Sequence, residues 1–489
     1  MKEMDFNKTK IVATLGPACS TQTQLLSLVR AGVNVFRINF SHGSRNDHLQ
    51  RIKAIRAINK ELDIPITILQ DLQGPKIRIG DVENGEIILK VGNKIAIATY
   101  PVTGTPEKIS TSYKSLTEDV NKGDIILIDD GNIEIRVLDK TQDEVTGQVL
   151  HGGLLKSRKG MNLPHTRISL PSMTPKDIED LEFGLRHNVD WVALSFVRSA
   201  MDILELRKVI DAHKKATRVV AKIEKPEAVE NIDSILAESD ALMVARGDLG
   251  VEIPMEQVPM IQKMIIKKCN AAGKPVIVAT QMLESMIQNP RPTRAEASDV
   301  ANAIMDGADA VMLSAETAAG KYPALAVRSM ARIIRSVEKN YEGIYFKNYE
   351  LDERSATFTH DRVLAMAVML AKDTHAKVIT GMTVSGYSAY NLSKYRPNAN
   401  IYIFTGSKFF LTQVGLIWGV RAFYYEKIES TDDAANDIKK VLMEKQLLKE
   451  GDLYVSTGTT PVASRMRTNT VRLSIADRTV RIRKRDSQK

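Results

Sequence analysis

Charged and hydroxyl side chains stand at the ends of short apolar runs through the first two-thirds of the chain, a placement that packing alone does not explain. The run VNVFRINF (33–40) delivers Arg37 and Asn39 and leads on to Ser41 and His42, and PITILQDL (65–72) delivers Asp71. VDWVALSFV (189–197) carries Ser195, RVVAKIE (218–224) carries Lys222 and Glu224, and DALMVARGD (240–248) ends in Arg246, Gly247 and Asp248. KPVIVATQM (274–282) and DAVMLSAET (309–317) add Thr280, Gln281, Ser314 and Glu316. A buried charge without a partner is costly, so charges gathered at one rim must pair, bind a metal or bind a ligand. Glu224 and Asp248 close consecutive runs and offer two hard oxygen donors side by side. Such a pair suits Mg2+ (or Mn2+) completed by water and substrate phosphate. It reads equally well as two carboxylates neutralised by Lys222 and Arg246. Arg37, Lys222 and Arg78 add cations near the same place, and cations with Mg2+ are the apparatus of phosphoryl transfer. Neither a P-loop nor a G-x-G-x-x-G fingerprint occurs where a nucleotide would need it, so any nucleotide is held differently.

The elements that position these groups follow from spacing. The runs above, with KIVATLG (10–16), are apolar nearly throughout, as strands buried on both faces are. Amphipathic segments lie between them, such as DIEDLEFGLRHN (177–188), where Ile178, Leu181 and Leu185 are expected to share a buried face. Thr174-Pro175 reads as an N-cap with Pro at the first helical position, and Thr293 with Glu296 as a capping box. Eight strand–helix units predict a (β/α)8 TIM barrel, with active groups at the carboxyl ends of the strands. One interval breaks the rhythm, from Leu72 to Val189. Within it GEIILKVGNKIAIATY, GDIILIDDGNIEIRVLD and EVTGQVLHGG alternate apolar and polar residues between turns, which is antiparallel grammar. The expected organisation is therefore an α/β chain with a catalytic barrel over 1–73 and 169–340 and an inserted β-barrel lid domain over 74–168. A C-terminal α/β domain over 352–477 and a basic tail over 478–489 complete it.

Composition excludes several classes. The 489 residues are 43% hydrophobic and 26% charged, an ordinary globular balance. The polar start MKEMDFNKTK lacks the apolar core of a secretion signal, no run approaches a membrane span, and two cysteines make neither a disulfide framework nor a zinc site. A cytoplasmic location is the expectation, with no membrane partner. Of the net charge of +9, the last twelve residues supply +5, and only 5% of the chain is aromatic. No basic stripe with interleaved aromatics speaks for nucleic acid. The tail reads as a solvated end.

Specific motifs then carry a resemblance over essentially the whole length. TKIVATLGPA, FRINFSHG, LQDLQGPKIRIG, KGMNLP, AKIEKPEAVENID, VARGDLGVEIP, VIVATQMLESM and NPRPTRAEASDVANAIMDGADAVMLSAETAAGKYP, with TVSGYSA and TNT late in the chain, are similar to the pyruvate kinase family. The resemblance implies Mg2+-dependent transfer of phosphate from phosphoenolpyruvate to ADP, giving pyruvate and ATP, in a homotetramer. At matching positions, Lys222 resembles the lysine that stabilises the transferring phosphoryl group and the enolate. Glu224 and Asp248 resemble the divalent-metal ligands. Gly247, Asp248 and Thr280 surround the substrate carboxylate, and Arg37 grips the phosphate. Asn39, Ser41, His42, Arg78 and Lys159 match nucleotide-contacting positions, and Lys159 makes the inserted domain a lid.

Departures from the family pattern carry information of their own. Leu72 and Lys76 stand where potassium-requiring members carry Thr and Glu, although Asn39, Ser41 and Asp71, the other monovalent-ion ligands, remain. The Lys76 ammonium brings its own compact charge, and the expectation is that K+ is dispensable. The alternative is that Lys76 faces solvent and the ion is still held. In the C-terminal domain, Thr383, Ser385, Gly386 and Ser388 form a loop before a helix, a seat for a phosphorylated effector or simply an N-cap. Tyr387 replaces the Arg often found in activated members. Two other readings stay open: a pyruvate-enolate aldolase barrel, which would not need ADP, and a non-catalytic phosphometabolite sensor, which would not turn over.

Overall fold

The computed structural model describes residues 6–62, 64–164, 166–426, 431–460 and 467–477. The basic tail at 478–489 lies outside the described residues. All eight apolar runs form parallel strands that close on themselves: Lys10–Thr14, Val35–Asn39, Thr67–Asp71, Trp191–Leu194, Arg218–Ile223, Ala241–Ala245, Val276–Ala279 and Ala310–Leu313. Lys10 pairs with Ala310 to shut the barrel. Period-two alternation divides each strand between two cores. Val12, Leu69, Trp191, Val220, Met243, Ile277 and Met312 fill the barrel interior, while Ile11, Ile68, Val219, Leu242 and Val278 meet the surrounding helices. Among the described residues no helix is long and apolar enough to cross a membrane.

Capping chemistry sets the helix starts as expected. Thr174 and Asp177 form a reciprocal box with Pro175 inside Pro175–Arg186, and Thr293 and Glu296 do the same for Arg294–Asp306. One expectation fails. Leu181 and Leu185 are fully buried, but Ile178 is 38% exposed. The inner face of that helix runs through Asp177, Asp180 and Gly184 as well as Leu181 and Leu185, because it meets polar atoms around the third strand alongside the apolar core. Asp177 Oδ1 accepts the Gly74 amide at 3.0 Å, and a Cβ on Gly184 would fall 1.9 Å from Gln70 Oε1.

The insertion between the third and fourth strands is a curled sheet domain with a core of its own, including Ile95, Ile126, Ile135 and Val145. Its six-stranded sheet is ordered Met161–Asn162, Ile125–Ile128, Ile133–Lys140, Glu144–His151, Lys94–Ala98, Lys108–Ser110. A two-stranded ribbon of Glu86–Leu89 and Gly153–Lys156 flanks it. The chain enters and leaves side by side: the Ile79 amide donates to Lys159 O at 2.9 Å and the Met161 amide to Ile77 O at 3.0 Å.

The C-terminal sheet runs Val420–Tyr424, Asn400–Thr405, Val378–Met382, Leu453–Gly458, Thr470–Ile475. The last, antiparallel strand was not evident from the sequence pattern. This domain seals the floor of the barrel. Leu416 is fully buried within the barrel's interior cluster, beneath Val35, Leu69 and Trp191. Trp191 Nε1 donates to Gln413 O at 3.0 Å, and the Gly415 amide donates to Thr67 Oγ1 at 3.1 Å. Gly415 is required there, since a Cβ would lie 2.2 Å from Thr67 Oγ1. Truncating Leu416 leaves a void that neither domain can collapse to fill. Leu416→Ala is expected to lower unfolding free energy by about 2–5 kcal/mol. Denaturant unfolding followed by tryptophan fluorescence, which reports Trp191 at the same spot, measures it; an unchanged midpoint would contradict the plug.

Candidate active site

The strand order brings the second, third, fourth and fifth strands together, and their carboxyl ends interlock. Asn39 pairs in register with Asp71 and Asp71 with Ala193, while Leu194 pairs with Ala221. Arg37 Nε meets Asp71 Oδ2 at 2.6 Å, and Arg37 Nη1 donates to Thr14 Oγ1 at 3.0 Å. Lys222 Nζ lies 3.4 Å from Asp71 Oδ1, 2.8 Å from Glu224 Oε1 and 2.7 Å from Ser195 Oγ. The other oxygen of Glu224 accepts the Phe196 amide at 2.8 Å.

These groups decide each other's charge. Burial alone would depress Lys222, but the Asp71 and Glu224 carboxylates outweigh it and hold the ammonium above the ordinary lysine range. Burial opposes ionisation of Asp71 too, yet Arg37 and Lys222 reverse it and keep that carboxyl below the usual range. Glu224 goes the other way. Burial pushes it up, Lys222 pulls it down, and the neighbouring Asp248 charge pushes it up again.

Asp248 stands in the first turn of Arg246–Glu252, half-buried, with no hydrogen-bond or ion-pair partner among the described residues. Beside it Thr280 and Gln281 hold φ of 67° and 54°, a conformation that costs a β-branched residue on the order of 1–3 kcal/mol. Three bonds brace it. The Gly247 amide donates to Thr280 Oγ1 at 2.8 Å, Thr280 Oγ1 donates to Ala279 O at 2.6 Å, and Arg246 Nη2 donates to Thr280 O at 2.7 Å. Arg246 is itself paired with Asp299 at 2.8 Å. It therefore serves the turn rather than neutralising Glu224 and Asp248, which removes half of the sequence-based alternative to a metal.

The other expected side chains do not bond to this cluster among the described residues, although Asn39 stands beside Asp71 in register. Asn39 Oδ1 accepts the Ser41 amide at 3.0 Å, and His42 is exposed on the same loop. On the lid, Lys159 Nζ pairs with Asp129 at 2.7 Å and Arg78 Nη1 donates to Arg158 O at 3.1 Å. Ser314 and Glu316 do not join the site: Glu316 accepts the Ser314 and Leu283 amides at 2.7 and 3.1 Å. Thr383, Ser385, Gly386 and Ser388 belong to the C-terminal domain, where Arg218, at the floor end of the fifth strand, donates to Ser385 O at 3.1 Å. Between lid and barrel a cleft of about 600 Å³ is lined by Lys76, Asp130, Asn162, Phe196, Lys225 and Asp248. Asp130, Asn162, Phe196 and Lys225 were not singled out from the sequence. Lys225 directly follows Glu224 and Asn162 lies within KGMNLP, so adjacency to the motif residues was the available signal.

The comparisons agree with one another. The model for the pyruvate kinase barrel domain matches residues 6–327, and that for the pyruvate kinase alpha/beta domain matches 361–474. A pyruvate kinase of Geobacillus stearothermophilus is 46% identical over 471 residues, covering 96% of this chain and 80% of that protein. One from Staphylococcus aureus (strain MRSA252) is 45% identical over 477 residues, with the same coverage. A crystal structure of a pyruvate kinase from Cryptosporidium parvum superposes with a TM-score of 0.90 at 36% identity, covering 96% of both chains. A closed barrel carrying a paired lysine and two acids at its mouth, under a lid and matched over nearly its full length, places the chain in the pyruvate kinase family.

Proposed function

We propose that the barrel mouth transfers the phosphoryl group of phosphoenolpyruvate to ADP, giving pyruvate and ATP. The observation that carries this reading is the Asp71–Lys222–Glu224 cluster, with Arg37 across Asp71. Arg37 has two of its nitrogens committed to Asp71 and Thr14, which fixes the guanidinium plane and leaves Nη2 for substrate phosphate. Lys222 keeps its proton and acts as a fixed positive charge, not as a base, against the enolate oxygen as charge develops there. Gly247, Asp248 and Thr280 flank the substrate carboxylate. The Thr280 hydroxyl is committed to Ala279 O and accepts the Gly247 amide, so it shapes that turn, and the enolate takes its proton from water beside it.

The donor set fits a divalent cation. Glu224 and Asp248 are hard oxygen donors whose mutual repulsion is relieved by a shared positive ion. Two carboxylates would leave the rest of the coordination shell to water and substrate, as Mg2+ or Mn2+ prefers. Bound there, the ion would draw charge from the carboxylate and phosphoryl oxygens. Asn39, Ser41, His42, Arg78 and Lys159 receive the nucleotide. Its phosphates take the places that Asp129 and Arg158 O occupy in this structure. Pyruvate release from phosphoenolpyruvate, with ATP formed from ADP, should require both ADP and Mg2+, and Lys222→Met should lower kcat by about 10²–10³. Pyruvate release without ADP would favour the aldolase reading, and no turnover at all would favour a sensor.

Potassium is dispensable in this reading. Asp71 already carries two cations, and Leu72, 1% exposed, offers a carbonyl that Ser195 Oγ occupies at 2.7 Å. Lys76 lines the cleft and lies along Gly160 of the lid. Turnover should be the same in K+-free and K+-containing buffer, and Lys76→Glu should create a K+ requirement; strong K+ activation of the unmodified enzyme would reject the assignment.

The Thr383–Ser388 loop is the proposed effector seat. Ser388 Oγ is buried without a partner, while Thr383 and Ser385 cap the Gly386 and Tyr387 amides at 3.0 and 3.4 Å. Glucose 6-phosphate or AMP, titrated separately, should lower the KM for phosphoenolpyruvate in the unmodified enzyme and not in Thr383→Val/Ser388→Ala. No response to either would leave Thr383 and Ser385 as caps alone and reject the effector seat.

A further inference from the structure

The lid is fastened to the barrel at a carboxylate that the proposed reaction does not use. Glu252 closes the helix whose first turn carries Asp248, and it is 2% exposed. Its Oε1 accepts two hydrogen bonds, from Lys225 Nζ and from Asn162 Nδ2, each at 2.7 Å. Its Oε2 is buried without a partner. Lys225 is 5% exposed and directly follows Glu224. Asn162 ends the strand Met161–Asn162, three residues beyond Lys159. One oxygen thus joins the residue after one acid of the site, the far end of the helix that begins beside the other, and the lid strand next to the nucleotide lysine.

Stability does not account for this arrangement. A buried ion pair is commonly replaceable by apolar side chains without loss, and an unpaired carboxylate oxygen makes the site more expensive still. The geometry has a positional consequence instead. The strand entering the lid is tied to the same place, because the Met161 amide donates to Ile77 O and the Ile79 amide donates to Lys159 O. Downstream, Arg198 Nη2 donates to Leu170 O at 2.7 Å and pins the returning chain. The returning connection therefore meets the barrel at two fixed points, Asn162 and Leu170, and the entering strand is bonded alongside it.

We propose that Glu252 is a positioning residue that holds Asn162 as the fulcrum of the lid. Lys159, about 10 Å of extended chain away, and its partner Asp129 flank paired strands of the same sheet, so rotation about that point would carry both together toward the cleft. Holding the fulcrum makes the swing reproducible, so ADP is met by a lysine arriving at one place. The inference rests on the reading that Lys159 grips the nucleotide. Phosphoenolpyruvate, bound wholly by barrel residues, should not sense it.

Asn162→Ala removes the lid half of the contact and leaves the Lys225–Glu252 pair intact. It should lower the fraction of lid positions that present Lys159 to the cleft, and a fall to about a tenth would raise the KM for ADP about tenfold and weaken ADP binding by calorimetry equally. The KM for phosphoenolpyruvate and the melting temperature should stay as they were. Asn162→Asp sets two carboxylates together and should cost more, and the double variant N162D/E252Q, which exchanges donor for acceptor, should recover most of the loss. An unchanged KM for ADP, equal rises for both substrates, or absence of recovery in the double variant overturns the fulcrum. Lys159→Met, measured alongside, separates the two ideas. If it leaves ADP binding unchanged, the nucleotide reading itself fails and the fulcrum falls with it; if it weakens ADP binding and Asn162→Ala does not, only the fulcrum falls.

Discussion

Lys222 is 8% exposed, and an ammonium so far from water keeps its proton only because two carboxylates face it, Glu224 from the end of its own strand and Asp71 from two strands away. That balance constrains everything around it. Asp71 needs Arg37 as well as Lys222 to remain ionised without bulk solvent. Arg37 in turn needs Thr14 on the first strand. Removing one member of such a set leaves the rest as uncompensated buried charge, which costs about 3–5 kcal/mol. The barrel supplies this geometry cheaply, because parallel strands in fixed register bring successive carboxyl ends within hydrogen-bond reach of each other. Glu224 is the loose member. Both of its oxygens have donors, yet Asp248 still pushes against it. The site is one positive charge short, and that shortage is what makes it a site.

Strain at the mouth is balanced by bracing just behind it. Phe196, Thr280 and Gln281 all have positive φ at the ends of barrel strands, where a chain that turned more easily would point its groups elsewhere. Arg246 and the Gly247 amide hold the Thr280 turn, and Glu224 holds the Phe196 amide. At the opposite end the cations do different work. Lys274 donates to Leu236 O and Ala237 O at 2.7 and 2.8 Å, and Arg396 donates to Gly307 O at 3.0 Å. These are carbonyls at helix carboxyl ends, which lack intrahelical partners and attract positive charge. The same residue types thus pair with buried carboxylates at the top and cap helices at the floor. Which role a given Lys or Arg has follows from the end of the strand or helix it stands on.

That distinction also marks what could be read from residues alone. Strands buried on both faces announce themselves as unbroken Val, Ile and Leu runs, and the residue that ends each run is the one at the mouth. Arg37, Asp71, Lys222, Glu224 and Asp248 were therefore legible. The break from Leu72 to Val189 exposed the insertion for the same reason. Helix faces were less secure: Ile178 has the period of a buried residue, but its helix packs on Gln70 and the Gly74 amide, so aspartates and glycine share the inner face with Leu181 and Leu185. Long-range partners were not legible at all. Leu416 reads as one more apolar residue of its own domain, and no periodicity links it to Val35 and Leu69 inside the barrel. Arg246 looked like a counter-ion for its neighbours until Asp299 and Thr280 O appeared as its partners. Glu252, Lys225 and Asn162 are distant in sequence and ordinary in type. Only the closed fold puts them on one oxygen.

The fifth strand shows why floor and mouth are not independent. Arg218 begins it, bonded to Ser385 O and Gln413 Oε1 of the C-terminal domain at 3.1 Å each and stacked on Tyr390. Lys222 and Glu224 end it. A strand is stiff along its length, and this one is buried at nearly every position and paired on both sides. A displacement of the Ser385 loop therefore reaches Arg218 directly, while Leu416, Gln413 and Thr67 limit how far the two domains slide past each other. At the mouth, tenths of an ångström matter, because Lys222 is in contact with three oxygens at once. One buried strand thus joins the floor domain to the mouth, although no residue of the Lys222 cluster belongs to that domain.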